Sequence, residues 1–383
     1  MKKITLTLLL VLSCSLFAGA QTAGYKFIEA SDLNIIGKIH PDTPNPYHRV
    51  DTVKFKGFTK SENNQVRCAA GLAVVFKTNS TAITVKTEYG PAYTAVNTMP
   101  ISYRGYDLYI KKDGEWLWAA AGATKPEKSD DNLVLIRNMD NTEKECLLYL
   151  PIYNELLSVQ IGVDKNAEIS AIESPFRHRV GIFGSSFTHG ISTSRAGMSY
   201  PAQFTRHTGI QLLSLGCSGN SKLQPYFADV FCAADVDALI FDSFSNPSAE
   251  LIEERLFPFI ERIQEAHPDI PLIFQRTIYR EKRNFDLATE KFEADKQAMS
   301  DSLMAIAVKK YDNVYYVRAD ATDELHESSV DGTHPGDHGY TLWARSLRKI
   351  TVLLSSRTTT ASLTHSANSA RLFRMGYFSV SIS

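Results

Sequence analysis

The chain has 383 residues, with 41 Lys and Arg against 42 Asp and Glu and a formal net charge of −1. That length exceeds one ordinary core and suits two domains. The balanced charge, with no stretch dominated by one sign, excludes the footprint of a nucleic-acid-binding protein and leaves a small or neutral partner.

The N-terminus reads as an export signal. Lys2 and Lys3 precede an apolar run from Ile4 to Leu12, and Ala18-Gly19-Ala20 supplies the small residues of a cleavage site, so residues 1–20 are expected to be removed. Leu12-Ser13-Cys14 admits a second reading, a lipoprotein box with Cys14 acylated as a lipid anchor. Either way the expected location is periplasmic or secreted. No later stretch approaches the ~20 consecutive apolar residues of a membrane span. Cys68, Cys146, Cys217 and Cys232 follow the signal. An oxidising compartment permits bridges, but spacing does not establish pairing, and free buried thiols fit equally well.

From about 25 to 172 the sequence reads as strand after strand. "GLAVVFKTNSTAITVKT" (71–87) has two β-branched runs around Asn79-Ser80. "YDLYIKKDGEWLWAA" (106–120) sets Asp113-Gly114 between alternating apolar residues, a strong hairpin signal. "ECLLYLPIYNELLSVQIGV" (145–163) continues the style, and with no helical period between the runs an antiparallel β-sandwich is expected.

Near Pro175 the rhythm changes. Apolar strands at Val180–Phe183, Ile210–Leu215, Ala238–Phe241, Pro271–Phe274 and Asn313–Val317 alternate with helical spacing, which predicts an α/β unit with a parallel sheet over 176–354. In one helix Ile252, Leu256, Phe259 and Ile263 share a face, and Pro258 should bend or interrupt it. The tail from Ser355 to 383 is Ser/Thr-rich without an acidic residue, a composition that favours disorder.

Ligands of parallel sheets bind beyond the carboxyl ends of the strands. Ser186 lies past the first strand, Gly219 and Asn220 past the second, Asn246 past the third, and Asp331 and His334 past the fifth. A serine nucleophile needs a base, the base an acceptor that fixes its tautomer, and the developing oxyanion fixed donors. Each of those residue types stands at a strand end. His334 and His338, with His189, raise a zinc reading, but Pro335 and Gly336 interrupt the interval and the metalloprotease glutamate is missing. Asp331 has a plainer role available as a helix or turn cap. Trp116, Trp118 and the tyrosines of "ISYRGYDLY" alternate along strands, and most of them are expected in the core rather than on a sugar-stacking surface.

These blocks carry a resemblance. The second half resembles the SGNH hydrolases, or GDSL-type esterases, along its whole length and in order. "GSSFTHG" is similar to the first block, Gly-Asp-Ser-x-Thr-x-Gly, with Ser185 in place of aspartate and Ser186 as nucleophile. "LGCSGN" is similar to the second, "DSFSNP" stands at the third with Phe244 where glycine is usual, and "DGTH" matches the fifth. "GYDLY" (105–109) looks like the signature of a β-domain fused before such esterases. The resemblance implies a catalytic triad of Ser186, His334 and Asp331, and an oxyanion hole from the N–H groups of Ser186 and Gly219 and the amide of Asn246. It implies no cofactor and no metal.

The resulting expectation is an exported serine esterase. The loops "SSFTHGISTSRAG", "SGNSKLQ" and "SNPSAE" are polar, which points to a short acyl group, acetyl above all, on a small-molecule or glycan ester. The alternatives are a lipase or phospholipid acetylhydrolase-like esterase, a noncatalytic glycan-binding protein on a hydrolase scaffold, and a metal hydrolase.

Overall fold

The computed structural model describes residues 24–126 and 132–351; the export segment with Cys14 and the tail from Ser355 lie outside the described residues. The N-terminal part contains β1 (Tyr25–Glu29), β2 (Asn34–Ile36), β3 (Ala73–Thr78), β4 (Ile83–Ala92), β5 (Tyr106–Lys112), β6 (Glu115–Gly122), β7 (Leu133–Ile136), β8 (Lys144–Tyr149), β9 (Asn154–Asp164) and β10 (Ile169–Ala171). Two short helices, α1 (Lys60–Val66) and α2 (Pro100–Arg104), interrupt them. One sheet runs β1-β9-β4-β7 and the other β10-β3-β8-β5-β6, with β2 also on β3. The pairings are antiparallel.

The period of two along each strand makes this a sandwich. Val74 and Phe76 of β3, Val85 of β4, Leu108 of β5, Leu148 of β8 and Ile161 of β9 point inward and share one buried cluster. The β5–β6 hairpin turns at Asp113 and Gly114, whose φ of 53° and 87° give the mirror-image turn that matches strand twist.

The same alternation explains the Gly-Tyr-Asp-Leu-Tyr stretch. Tyr106 and Leu108 enter the sandwich core, whereas Asp107 and Tyr109 face the second half of the chain. There the buried Asp107 carboxylate accepts from Gly197 N at 2.9 Å, Arg195 Nε at 3.1 Å and Trp118 Nε1 at 3.1 Å. Its neighbours Ala73, Val75, Leu147 and Tyr149 pack on Phe176, Ile191, Ala196 and Ala202, so this sheet is covered on both faces. Trp118 departs from the core expectation. It is 55% exposed, held by its Asp107 bond under the Arg195 guanidinium.

The second half is a five-stranded parallel sheet with helices on both faces. Its strands are β11 (Arg177–Gly184), β12 (Ile210–Gly216), β13 (Ala238–Asp242), β14 (Leu272–Arg276) and β15 (Val314–Arg318), in the order β12-β11-β13-β14-β15. The helices are α3 (Ser186–His189), α4 (Tyr200–Thr208), α5 (Pro225–Cys232), α6 (Ala249–Ala266), α7 (Leu287–Lys310) and α8 (Asp337–Ser346). Phe183, Leu215, Phe241 and Phe274 pack on α5, α6 and α7. Val180, Ile182, Ile240 and Ile273 pack on α4 and α8. Strands apolar on both sides require this double cover.

Helix α6 buries Ile252, Leu256, Phe259 and Ile263, as the spacing predicts, but continues through Pro258 without a break. Pro258 lies on the exposed side, where water can replace the hydrogen bond that its ring denies Glu254. Among the described residues the thiols are free; burial pushes those of Cys68, Cys146 and Cys217 up to about 12. Among the described residues no helix is long and apolar enough to cross a membrane.

Candidate active site

Strand β11 ends at Gly184, and the chain turns at once into α3. A Cβ on Gly184 would stand 1.8 Å from Thr188 Oγ1, so only glycine allows the turn to fold back so tightly. Ser185 caps the helix, its hydroxyl accepting from Phe187 N at 3.2 Å. Ser186 is therefore the first residue of the helix, at the carboxyl edge of the sheet.

Its partner comes from the loop before α8. Ser186 Oγ lies 3.0 Å from His334 Nε2, and His334 Nδ1 lies 2.8 Å from Asp331 Oδ2. The three-residue spacing works because Asp331 Oδ1 accepts from the backbone N–H groups of Thr333 and His334, at 2.9 and 2.7 Å, which folds the carboxylate back toward the ring. Burial alone would raise the Asp331 carboxyl, but the hydrogen bonds from the His334 ring and backbone win and hold it below its ordinary value. An ionised Asp331 takes the Nδ1 proton side of the imidazole, which leaves Nε2 to accept from Ser186. The His334 ring meets the edge of Phe187 at 5.5 Å, and Phe187 in turn packs on Trp343.

The next two strands lead to the other expected site residues. Gly219 sits past β12 with a φ of 72°, a backbone state that favours glycine, in a turn closed by Asn220 N to Cys217 O at 2.9 Å. Asn220 is occupied in holding that turn, donating through Nδ2 to Ser218 O and Ser61 Oγ. Asn246, past β13, accepts from Ser221 N on its Oδ1 at 3.2 Å, which turns the donor end of its amide the other way. Phe244, where the resembled family has glycine, is fully buried and stacks on Phe274.

Beneath this edge lies a buried acid. Asp242 Oδ2 accepts from Ser185 N at 3.1 Å, Ser185 Oγ at 2.8 Å and Thr188 Oγ1 at 3.0 Å, and Oδ1 accepts from Ser245 Oγ at 2.8 Å. Burial raises its pKa, while these donors pull the other way. Behind Asn246, the Ser245 carbonyl accepts from Arg280 at 2.6 Å and from Lys296 at 3.1 Å, and the Glu293 carboxylate pairs with both cations.

The N-terminal β-domain contributes residues that the sequence did not mark. Fully buried Arg49 donates to Gly216 O at 3.0 Å at the end of β12, and to Cys68 O and Gln65 O on its own side. Tyr153 bonds Ser218 Oγ and stacks on His189 at 3.9 Å. Asn97 Nδ2 donates to Asp331 Oδ2 at 2.8 Å. The other two histidines of the zinc reading have partners of their own: His189 bonds Ile152 O and His338 bonds Asp323. Among the described residues no group of three or more His, Cys, Asp and Glu is placed to hold a metal ion.

Comparison with known proteins agrees with this layout. Residues 25–169 match the GxDLY domain, the N-terminus of SGNH-hydrolase-type esterases, and residues 177–352 match the GDSL-like lipase/acylhydrolase family. A solved protein from Bacteroides ovatus, described as a GDSL-like lipase, is 34% identical over 87% of this chain and 98% of its own, with a TM-score of 0.82. The chain belongs to the SGNH, or GDSL-like, hydrolase family. Two further solved structures share the fold of this SGNH hydrolase. A salicylyl-acyltransferase from a tetracycline biosynthetic pathway is 20% identical over 86% of this chain and 98% of its own, with a TM-score of 0.66. A family two carbohydrate esterase from Cellvibrio japonicus is 13% identical over 87% and 98%, with a TM-score of 0.55. No curated protein matches the chain.

Proposed function

We propose that this SGNH hydrolase is an exported serine esterase that removes short acyl groups, chiefly acetyl, from carbohydrate esters. One observation carries the reading: the continuous chain Ser186 Oγ, His334, Asp331, with links of 3.0 and 2.8 Å, at the carboxyl edge of the parallel sheet. His334 takes the Ser186 proton as Oγ attacks the ester carbonyl, and Asp331 steadies the imidazolium that forms. The N–H groups of Ser186 and Gly219 and the Asn246 amide receive the oxyanion. His334 then gives that proton to the leaving alcohol, takes one from the water that attacks the acyl-enzyme, and returns it to Ser186 Oγ as the carboxylic acid departs. The scheme calls for no cofactor.

The substrate assignment rests on the polar strand-end loops, and the fold shared with a carbohydrate esterase supports it. Export follows from the leader-like residues 1–20. A second reading has its own support. Val96 is fully exposed, and Met99 and Val330 are about half exposed, on the segments carrying Asn97 and Asp331, an apolar rim that suits a lipid-like chain. Mature protein assayed on p-nitrophenyl acetate and octanoate, and for acetate release from acetylated glycans, separates the two. Preference for octanoate, or acetyl release from phospholipids alone, would overturn the carbohydrate reading. Failure of a fluorophosphonate to label Ser186 would overturn the serine mechanism itself.

A further inference from the structure

We propose that Asn97, carried by the N-terminal β-domain, is a positioning residue of the esterase site and completes the triad across the domain boundary. The inference rests on the reading of Ser186, His334 and Asp331 as the triad. Asp331 Oδ2 accepts from two side chains, His334 Nδ1 at 2.8 Å and Asn97 Nδ2 at 2.8 Å, while Oδ1 is taken by two backbone N–H groups. With the Asp331 side chain 36% exposed, burial does not hold the carboxylate still. The fourth donor, on the side away from the backbone pair, adds to what holds its rotation about Cβ–Cγ, and that rotation decides whether Oδ2 stays in line with the imidazole.

The segment that presents Asn97 is built as a bracket. Ala95 N donates to Thr98 Oγ1 and Thr98 Oγ1 to Ala95 O, at 3.0 and 2.7 Å, so the turn around Asn97 is stapled by a side chain. On one side Tyr93 N bonds Tyr153 O at 2.8 Å; on the other Ile152 N bonds Ser102 O and Tyr153 N bonds Tyr103 O, both at 3.2 Å. Ser102 Oγ also pairs with Thr193 Oγ1 at 2.9 Å, on the stretch that follows the nucleophile helix. Both ends of the bracket are thus tied to the loop between β8 and β9, and one end also to the hydrolase half. Asn97 is partly exposed on this turn, so its own packing contributes little to folding.

Three variants test the role. A donor requirement predicts that Asn97→Ala lowers kcat about 10- to 100-fold with KM within about threefold, the scale of lost outer-layer orienting bonds. Asn97→Asp keeps the shape but sets an acceptor against Asp331 and should be worse than alanine, whereas Asn97→Gln, which keeps the donor, should recover part of the loss. The rate of fluorophosphonate labelling of Ser186 should fall in the same order, with Tm within a few degrees of wild type. Wild-type kcat in Asn97→Asp, or an alanine effect confined to KM, would overturn the proposal. Ser186→Ala and His334→Ala serve as controls: if either keeps wild-type turnover, the triad reading fails, and if both are inactive while Asn97→Ala is not impaired, only the positioning role fails.

Discussion

Restoring the family's aspartate at position 185 should damage this protein, because the acidic group already stands across the sheet. Asp242 accepts from Ser185 twice, at 2.8 and 3.1 Å, in a fully buried place where its pKa is already raised by burial. Ser185→Asp would set a second carboxylate against it. Aspartate caps a helix as well as serine does, so the start of α3 is not what suffers. Two carboxylates at hydrogen-bond distance cannot both ionise, so one must keep a proton at pH 7. Holding that proton costs about 1.4 kcal/mol per pH unit over the roughly three units above the ordinary carboxylate range, about 4 kcal/mol in all. The folded variant then binds one more proton than the unfolded chain, so its penalty shrinks as pH falls, by nearly 3 kcal/mol between pH 7 and pH 5. Urea unfolding of both proteins at the two pH values measures this, and Ser185→Asp combined with Asp242→Ser should recover most of the loss at pH 7. A single variant as stable as wild type at pH 7, or a penalty unchanged at pH 5, would refute the reasoning.

Three further outcomes are expected. Ser186→Ala should lower kcat by roughly 10³-fold or more while folding is retained, and Ser185→Ala should be far milder; chromogenic-ester kinetics would expose the reverse ranking. Asn246→Ala should cost roughly 10²-fold or more in kcat with little change in KM, and near-wild-type turnover would return the oxyanion role to another donor. Burial, with Arg280 alongside, brings the Lys296 ammonium down to about 8. The unfolded chain therefore binds more protons between about pH 8 and 10.5, and stability contributed through Lys296 rises with pH there; denaturant midpoints of wild type relative to Lys296→Met should diverge between pH 7.5 and 9.5, and parallel curves would count against it.

Much of this molecule is legible one element at a time. The five parallel strands were marked by short apolar runs, because a strand buried on both faces has no reason to alternate. The sandwich strands were marked by alternation and by an Asp-Gly turn whose two positive φ angles few other pairs tolerate. Ser186, Gly219, Asn246, Asp331 and His334 could be nominated because each follows a strand in a parallel sheet, and strand ends converge. Local rules left two places open. Pro258 forbids one hydrogen bond but not a helix whose exposed side can spare it, and Trp118 follows the strand alternation yet lies open under Arg195, held by Asp107.

What stayed hidden depends on pairs of residues far apart in the chain. Nothing in "TAVNTMP" distinguishes Asn97 from any turn asparagine; its meaning comes from Asp331, 234 residues later. Arg49 reads as a surface cation until the carbonyls at the end of β12 close around it, and a buried guanidinium with every side taken by backbone oxygens is a joint between two halves. The missing aspartate at 185 is the sharpest case. A motif assigns chemistry to a position, but the requirement here is an acceptor for the Thr188 hydroxyl and the backbone N–H that precedes Ser186. Strand β13 pairs with β11 through Gly184 and Asp242, so the side chain at 242 can supply that acceptor from across the sheet. The constraint that the motif expresses is a place in the fold, which either strand can fill, and only one of the two can fill it with a charge.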